Sequence, residues 1–140
     1  MKKLIITLGI FLFSFSVFSQ LSAEDKIKDF YGEEWYNREI NENPQWIEIL
    51  KLYVSNGFKV ISTDHGKYNE LTPINEIILT SKTNQTISIQ QFLEEYESEN
   101  FNPLFYQFLP STETQVFKLE GVDKIIYIES FSYLLRTTNE

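Results

Sequence analysis

The sequence predicts an α+β domain in which helices pack on one face of a mostly antiparallel sheet ending in a three-stranded meander. Three observations carry that expectation. Helical segments with readable caps come first, between Ser22 and Gly57. The apolar period shortens after Gly57, where β-branched and aromatic residues follow a turn former. From Leu104 onward the chain alternates in three bursts separated by turn residues.

Ahead of the domain, residues 1–19 have the three-part build of a secretory signal. Lys2 and Lys3 lie beside the amino terminus, an apolar or hydroxyl run follows from Leu4 to Phe18, and small Ser19 closes it. That run is fifteen residues, short of the roughly 18 to 20 that a helix needs to cross about 30 Å of hydrocarbon. A cleaved signal is therefore expected rather than a membrane anchor, with Gln20 as the new amino terminus and a cut after Ala23 as the second choice. Residues 20–140 are expected to form a single domain.

Within it, Ser22 has the chemistry of an N-cap, with Glu24 and Asp25 placing negative charge in the first turn, and Gly32 stops the helix. Ile27, Phe30 and Tyr31 form its apolar stripe. A second helix is expected over Glu33–Ile40, followed by a loop at Asn41–Asn43. The third has the clearest ends: Asn43 as N-cap, Pro44 at the first helical position and Gly57 as the stop. Trp46, Ile49, Leu50, Tyr53 and Val54 share its inward face.

Phe58–Ile61 reads as a strand, Ser62–Thr72 as a polar loop closed by Pro73, Ile74–Thr80 as a strand or a short helix, and Ser81–Gln85 as a turn. Ser88 and Gln91 have the spacing of a capping box for a helix running to about Ser98, with Ile89, Phe92, Leu93 and Tyr96 facing inward. The meander is expected over Leu104–Leu109, Thr114–Glu120 and Lys124–Ser130, with a short terminal helix over Phe131–Arg136 and a frayed end after it.

Composition narrows the function classes. No cysteine is present, which excludes a disulfide framework, thiolate metal sites and a thioether-linked lipid. Removing Lys2 and Lys3 with the signal leaves ten Lys and Arg against twenty Asp and Glu, a net charge of −10 for the mature chain. That balance repels phosphate backbones and anionic head groups, so no nucleic-acid partner and no peripheral membrane attachment are expected. A basic protein would be attracted.

No residue set demands a particular chemistry. His65, the only histidine, lies between Asp64 and Gly66 in the polar loop. A general base or metal ligand there would need a nucleophile or further ligands from elsewhere in the chain, so a solvated turn residue is expected. Glu94, Glu95, Glu97 and Glu99 could be imagined around a cation, but they lack the Asp-rich loop spacing of calcium sites and the histidines of zinc or iron sites; a charged outer helix face accounts for them. The Asn84–Gln85–Thr86 acceptor triplet is discounted because the short, lysine-led signal reads as bacterial.

The mature chain holds eighteen aromatic residues, more than a core of its size needs, so some are expected at the surface. In the last strand Ile126 and Ile128 fill one phase and Ile125 and Tyr127 the other, an apolar second face that would suit a partner, a sugar ring or a second copy unless a helix or loop covers it. The expectation is thus an exported, acidic, non-catalytic binding or accessory protein, inhibitor-like or immunity-like, with another protein as partner and no cofactor, metal or catalytic residue assigned. The alternatives are a small periplasmic hydrolase using His65 and a structural subunit of an envelope assembly.

Overall fold

In the computed structural model of the chain, residues 20–64, 79, 85–106 and 108–137 are described. The proposed signal, the loop from His65 to Thr72, the Ile74–Thr80 segment apart from Leu79, most of the Ser81–Gln85 turn and Asn84 of the acceptor triplet lie outside them.

Ser22 opens helix α1 (Ala23–Tyr31) through a complete capping box: its hydroxyl accepts from the Asp25 N–H, and the Asp25 carboxylate accepts from the Ser22 N–H. Gly32 ends α1 and begins α2 (Glu33–Glu42). Its N–H donates to the Lys28 carbonyl at 2.8 Å while its own carbonyl accepts from Tyr36 at 3.1 Å. Serving both helices requires φ 92° and ψ 152°, a region essentially restricted to glycine.

Helix α3 (Pro44–Leu52) has Asn43 at its N-cap position and Pro44 in its first turn as expected, but the Asn43 side chain makes no cap bond. The Asn43 amide instead donates to the Glu39 carboxylate at 2.7 Å, closing the end of α2. The helix reaches Gly57 only by widening into a π turn over Tyr53–Gly57. Ile49, Leu50, Tyr53 and Val54 are buried as the spacing predicts, whereas Trp46 is half-buried against Phe131 and Ile47 takes the interior position.

Among the described residues the sheet has three antiparallel strands in the order β1 (Phe58–Ser62), β3 (Lys124–Ile128), β2 (Gln115–Lys118). Phe58 and Gln115 both pair with Ile128, so the central strand carries both ladders. The α+β class stands, and the meander is corrected. The described residues of Leu104–Leu109 form no strand: Asn102 holds the chain in a 3₁₀ turn over Pro103–Tyr106, donating to the Lys26 carbonyl at 2.8 Å and accepting from the Leu104 N–H at 3.2 Å. An Asn-Pro turn start outweighs the alternation of the residues after it. The third sheet position is filled by β1 from the helical half of the chain.

Helix α4 (Ile89–Tyr96) is capped by the Ser88 hydroxyl, which accepts from the Gln91 N–H at 3.1 Å. The reciprocal half of the box is absent, because the Gln91 amide donates to Glu95. Helix α5 (Phe131–Arg136) starts at Ser130 and packs on α3.

Phe58 sits at the middle of the main core, with the rings of Tyr53, Phe92, Tyr96, Phe101 and Phe108 all within 6.4 Å of it, centre to centre. This ring cluster is where most of the aromatic surplus goes. Among the described aromatic residues only Phe30 and Tyr133 are largely exposed.

Candidate functional site

The second face of the sheet is not open. Val116, Ile125 and Tyr127 form a small cluster there with Ile61, and Ile125 is 0% exposed. These side chains are therefore interior groups, which removes the apolar docking face that the alternation in β3 suggested. Glu129, just beyond the strand, is buried too: its carboxylate accepts from the Tyr127 hydroxyl at 3.2 Å and lies 3.9 Å from the Lys59 ammonium. Burial, reinforced by the Glu129 charge, pushes the Tyr127 phenol up to about 12.

The charged surface divides into two regions of different character. On α1 and α2 three carboxylates have cationic partners: Lys28 meets Glu24 at 2.7 Å and Glu33 at 3.9 Å, and Arg38 meets Glu39 at 3.2 Å. The Lys28 ammonium and then the Tyr36 hydroxyl hold the Glu24 carboxyl below its ordinary range. Around α4 the carboxylates have no such partners. Glu94, Glu97 and Glu99 are exposed, and among the described residues no Lys or Arg lies within ion-pair distance of any of them. Glu95 turns partly inward and accepts from the Tyr106 hydroxyl; burial and this neighbour push the Tyr106 phenol far up. Among the described residues no group of three or more His, Asp or Glu is placed to hold a metal ion.

Beside the end of α4 two shallow depressions adjoin, of about 190 Å³ and about 250 Å³. Gln20, Lys26, Val54 and Ser55 line both, and the smaller one is also walled by Tyr96 and Phe101. Lys26 is the unexpected member. Its side chain is only 9% exposed, and no carboxylate among the described residues lies within ion-pair distance of its ammonium. Burial alone lowers its pKa from the ordinary lysine value. The fold places it there by tying the Lys26 carbonyl to Asn102, which draws α1 against the 3₁₀ turn. Nothing in the periodicity of α1 singles Lys26 out, since it adjoins the Ile27 stripe as any flanking lysine would.

A wider hollow of about 500 Å³ lies at the corner between α2 and α3, bordered by Glu42, Pro44 and Trp46. It brings together no titratable pair. Among the described residues no helix is long and apolar enough to cross a membrane.

Comparison with protein-family models, curated proteins and solved structures returns no match to this chain. The arrangement of its own residues therefore carries the functional reading. It consists of an acidic rim at the end of α4, without a cation at ion-pair distance among the described residues, next to a depression with one lysine and several hydrogen-bond donors.

Proposed function

We propose that this chain is an exported, non-catalytic binding protein that engages a basic protein partner through the acidic rim of α4. The carrying observation is the exposure of Glu94, Glu97 and Glu99 close together in the chain: among the described residues no Lys or Arg lies within ion-pair distance of any of them, whereas Glu24, Glu33 and Glu39 are met by Lys28 and Arg38. Glu94 in the last turn of α4, Glu97 at its cap and Glu99 just beyond it are like charges close in the chain, and a cationic partner would relieve their repulsion. The net charge of −10 after removal of residues 1–19 adds a long-range field that steers such a partner inward. Export is supported by the lysine-led apolar run of residues 2–18.

The test is affinity capture with the tagged chain from the envelope and medium of its own organism. Salt is varied between about 0.01 M and 1 M, over which the screening length falls from about 30 Å to about 3 Å. A stoichiometric basic protein, retained at low salt and lost with the triple variant Glu94→Gln, Glu97→Gln, Glu99→Gln, is the expected result. Substrate turnover by the purified chain that disappears on changing one polar residue would replace this reading with an enzymatic one.

A further inference from the structure

We propose that the paired depressions around Lys26 form a binding site for a small organic carboxylate, bordered at Glu99 by the acidic rim of α4. Three features point to that chemistry.

Hydrogen-bond donors without acceptors line the site. The Lys26 ammonium has no carboxylate beside it among the described residues. The Tyr96 hydroxyl accepts from the Val60 N–H at 3.2 Å, which leaves its own proton to donate. Ser55 is exposed at the shared wall, and its hydroxyl has no protein partner among the described residues. Ser98, by contrast, is occupied, donating to the Glu95 carbonyl at 2.7 Å. A carboxylate offers two oxygens with several acceptor positions, the complement of this set.

Charge selects a monoanion. Lys26 is the one Lys or Arg side chain on the lining, able to neutralise one negative charge, and the chain around it is strongly acidic, with Glu99 also on the lining. A dianionic phosphate would leave an excess charge in that field, and the lining holds no second Lys or Arg to meet it.

Size selects a small body. A cavity of about 150 Å³ holds one benzene ring, and the depressions measure about 190 Å³ and about 250 Å³. Phe58, Phe101 and Val54 supply the apolar wall on which such a ring would rest.

The experiment uses the ¹⁵N-labelled protein, produced from the complete sequence, titrated with sodium benzoate at neutral pH while the backbone amides of Lys26, Ser55 and Tyr96 are followed. Benzamide, the neutral counterpart, and inorganic phosphate are titrated in parallel. Saturable shifts at these three residues with benzoate alone are expected. They should be abolished in Lys26→Met, which keeps the buried stem, and the affinity should fall about tenfold in Ser55→Ala, where a hydrogen bond to a charged group is lost. If Lys26→Met does not fold, Ser55→Ala at its exposed position decides the matter. Absence of saturation, an equal response to benzamide or phosphate, or unchanged binding in the folded variants would overturn the assignment.

Discussion

Replacing Gly32 by alanine isolates a backbone cost at the joint that sets α1 against α2. A Cβ built there meets no heavy atom within 4 Å, so steric crowding contributes nothing. The cost comes from φ 92° and ψ 152°, and holding a side-chain-bearing residue in such a region takes about 1–3 kcal/mol. Alanine also restricts the unfolded chain, which returns about 0.4–1 kcal/mol. The net loss is about 1–2 kcal/mol, and for a domain of this length a fall in Tm of about 3–10 °C. Urea unfolding followed by tryptophan fluorescence reads it directly, because Trp35 stacks on Tyr31 across this joint with centroids 4.0 Å apart. Gly121→Ala is the internal comparison: it also meets no atom within 4 Å, and its φ is 75°, where the left-handed region costs about 1–2 kcal/mol. Gly32→Ala should therefore be the more damaging of the two. A Gly32→Ala protein as stable as the parent, or more stable than Gly121→Ala, would refute the backbone argument.

Other consequences are equally direct. Tyr53 donates to the Phe108 carbonyl at 2.6 Å inside the core, so Tyr53→Phe leaves that carbonyl without its partner and should lower stability by about 1–3 kcal/mol in urea unfolding. Ser88→Ala removes the cap of α4 and should cost about 1 kcal/mol, again read by denaturant midpoint. Burial raises the phenol pKa values of Tyr53, Tyr106 and Tyr127, that of Tyr127 to about 12. Unfolded tyrosine ionises near 10, so above that pH the unfolded chain binds fewer protons than the folded one. Stability is thus unaffected by these groups below about pH 10 and falls as pH rises from there toward 12. Phenolate absorbance should rise in two stages, the second coinciding with loss of circular dichroism; a single rise near pH 10 with the fold intact would contradict the burial of these rings.

The helical half was legible because its signals are local. Ser22, Gly32 and Pro44 each act within one turn of the chain, and each does in the structure what its chemistry suggests. Signals that depend on distant partners were not legible. Asn43 looked like a cap and instead serves Glu39. Leu104–Leu109 alternates like a strand, yet Asn102 reaches 76 positions back to Lys26 and fixes a turn, while β1 takes the place beside β3. The same holds for the candidate site. The run of glutamates from Glu94 to Glu99 is visible in the sequence, but their lack of neighbouring cations among the described residues depends on where Lys28, Arg38 and Lys59 pair. Lys26, Ser55 and Tyr96 come from three separate elements, and no spacing in the sequence links them. The aromatic excess was visible as a number, but only the packing around Phe58 shows that most of it is interior.

The central claim is that the unpaired carboxylates around α4 form the contact surface for a basic protein. The most direct measurement is the affinity of the captured partner for the parent chain and for the Glu94→Gln, Glu97→Gln, Glu99→Gln variant, determined by calorimetry at low and high salt. Each exposed charge pair contributes about 0.2–1 kcal/mol, so the three changes together should weaken binding by about 3-fold to 100-fold at low salt, with the difference shrinking as salt rises. Equal affinities for parent and variant, with the same salt dependence, would contradict the claim and place the contact surface elsewhere on the molecule.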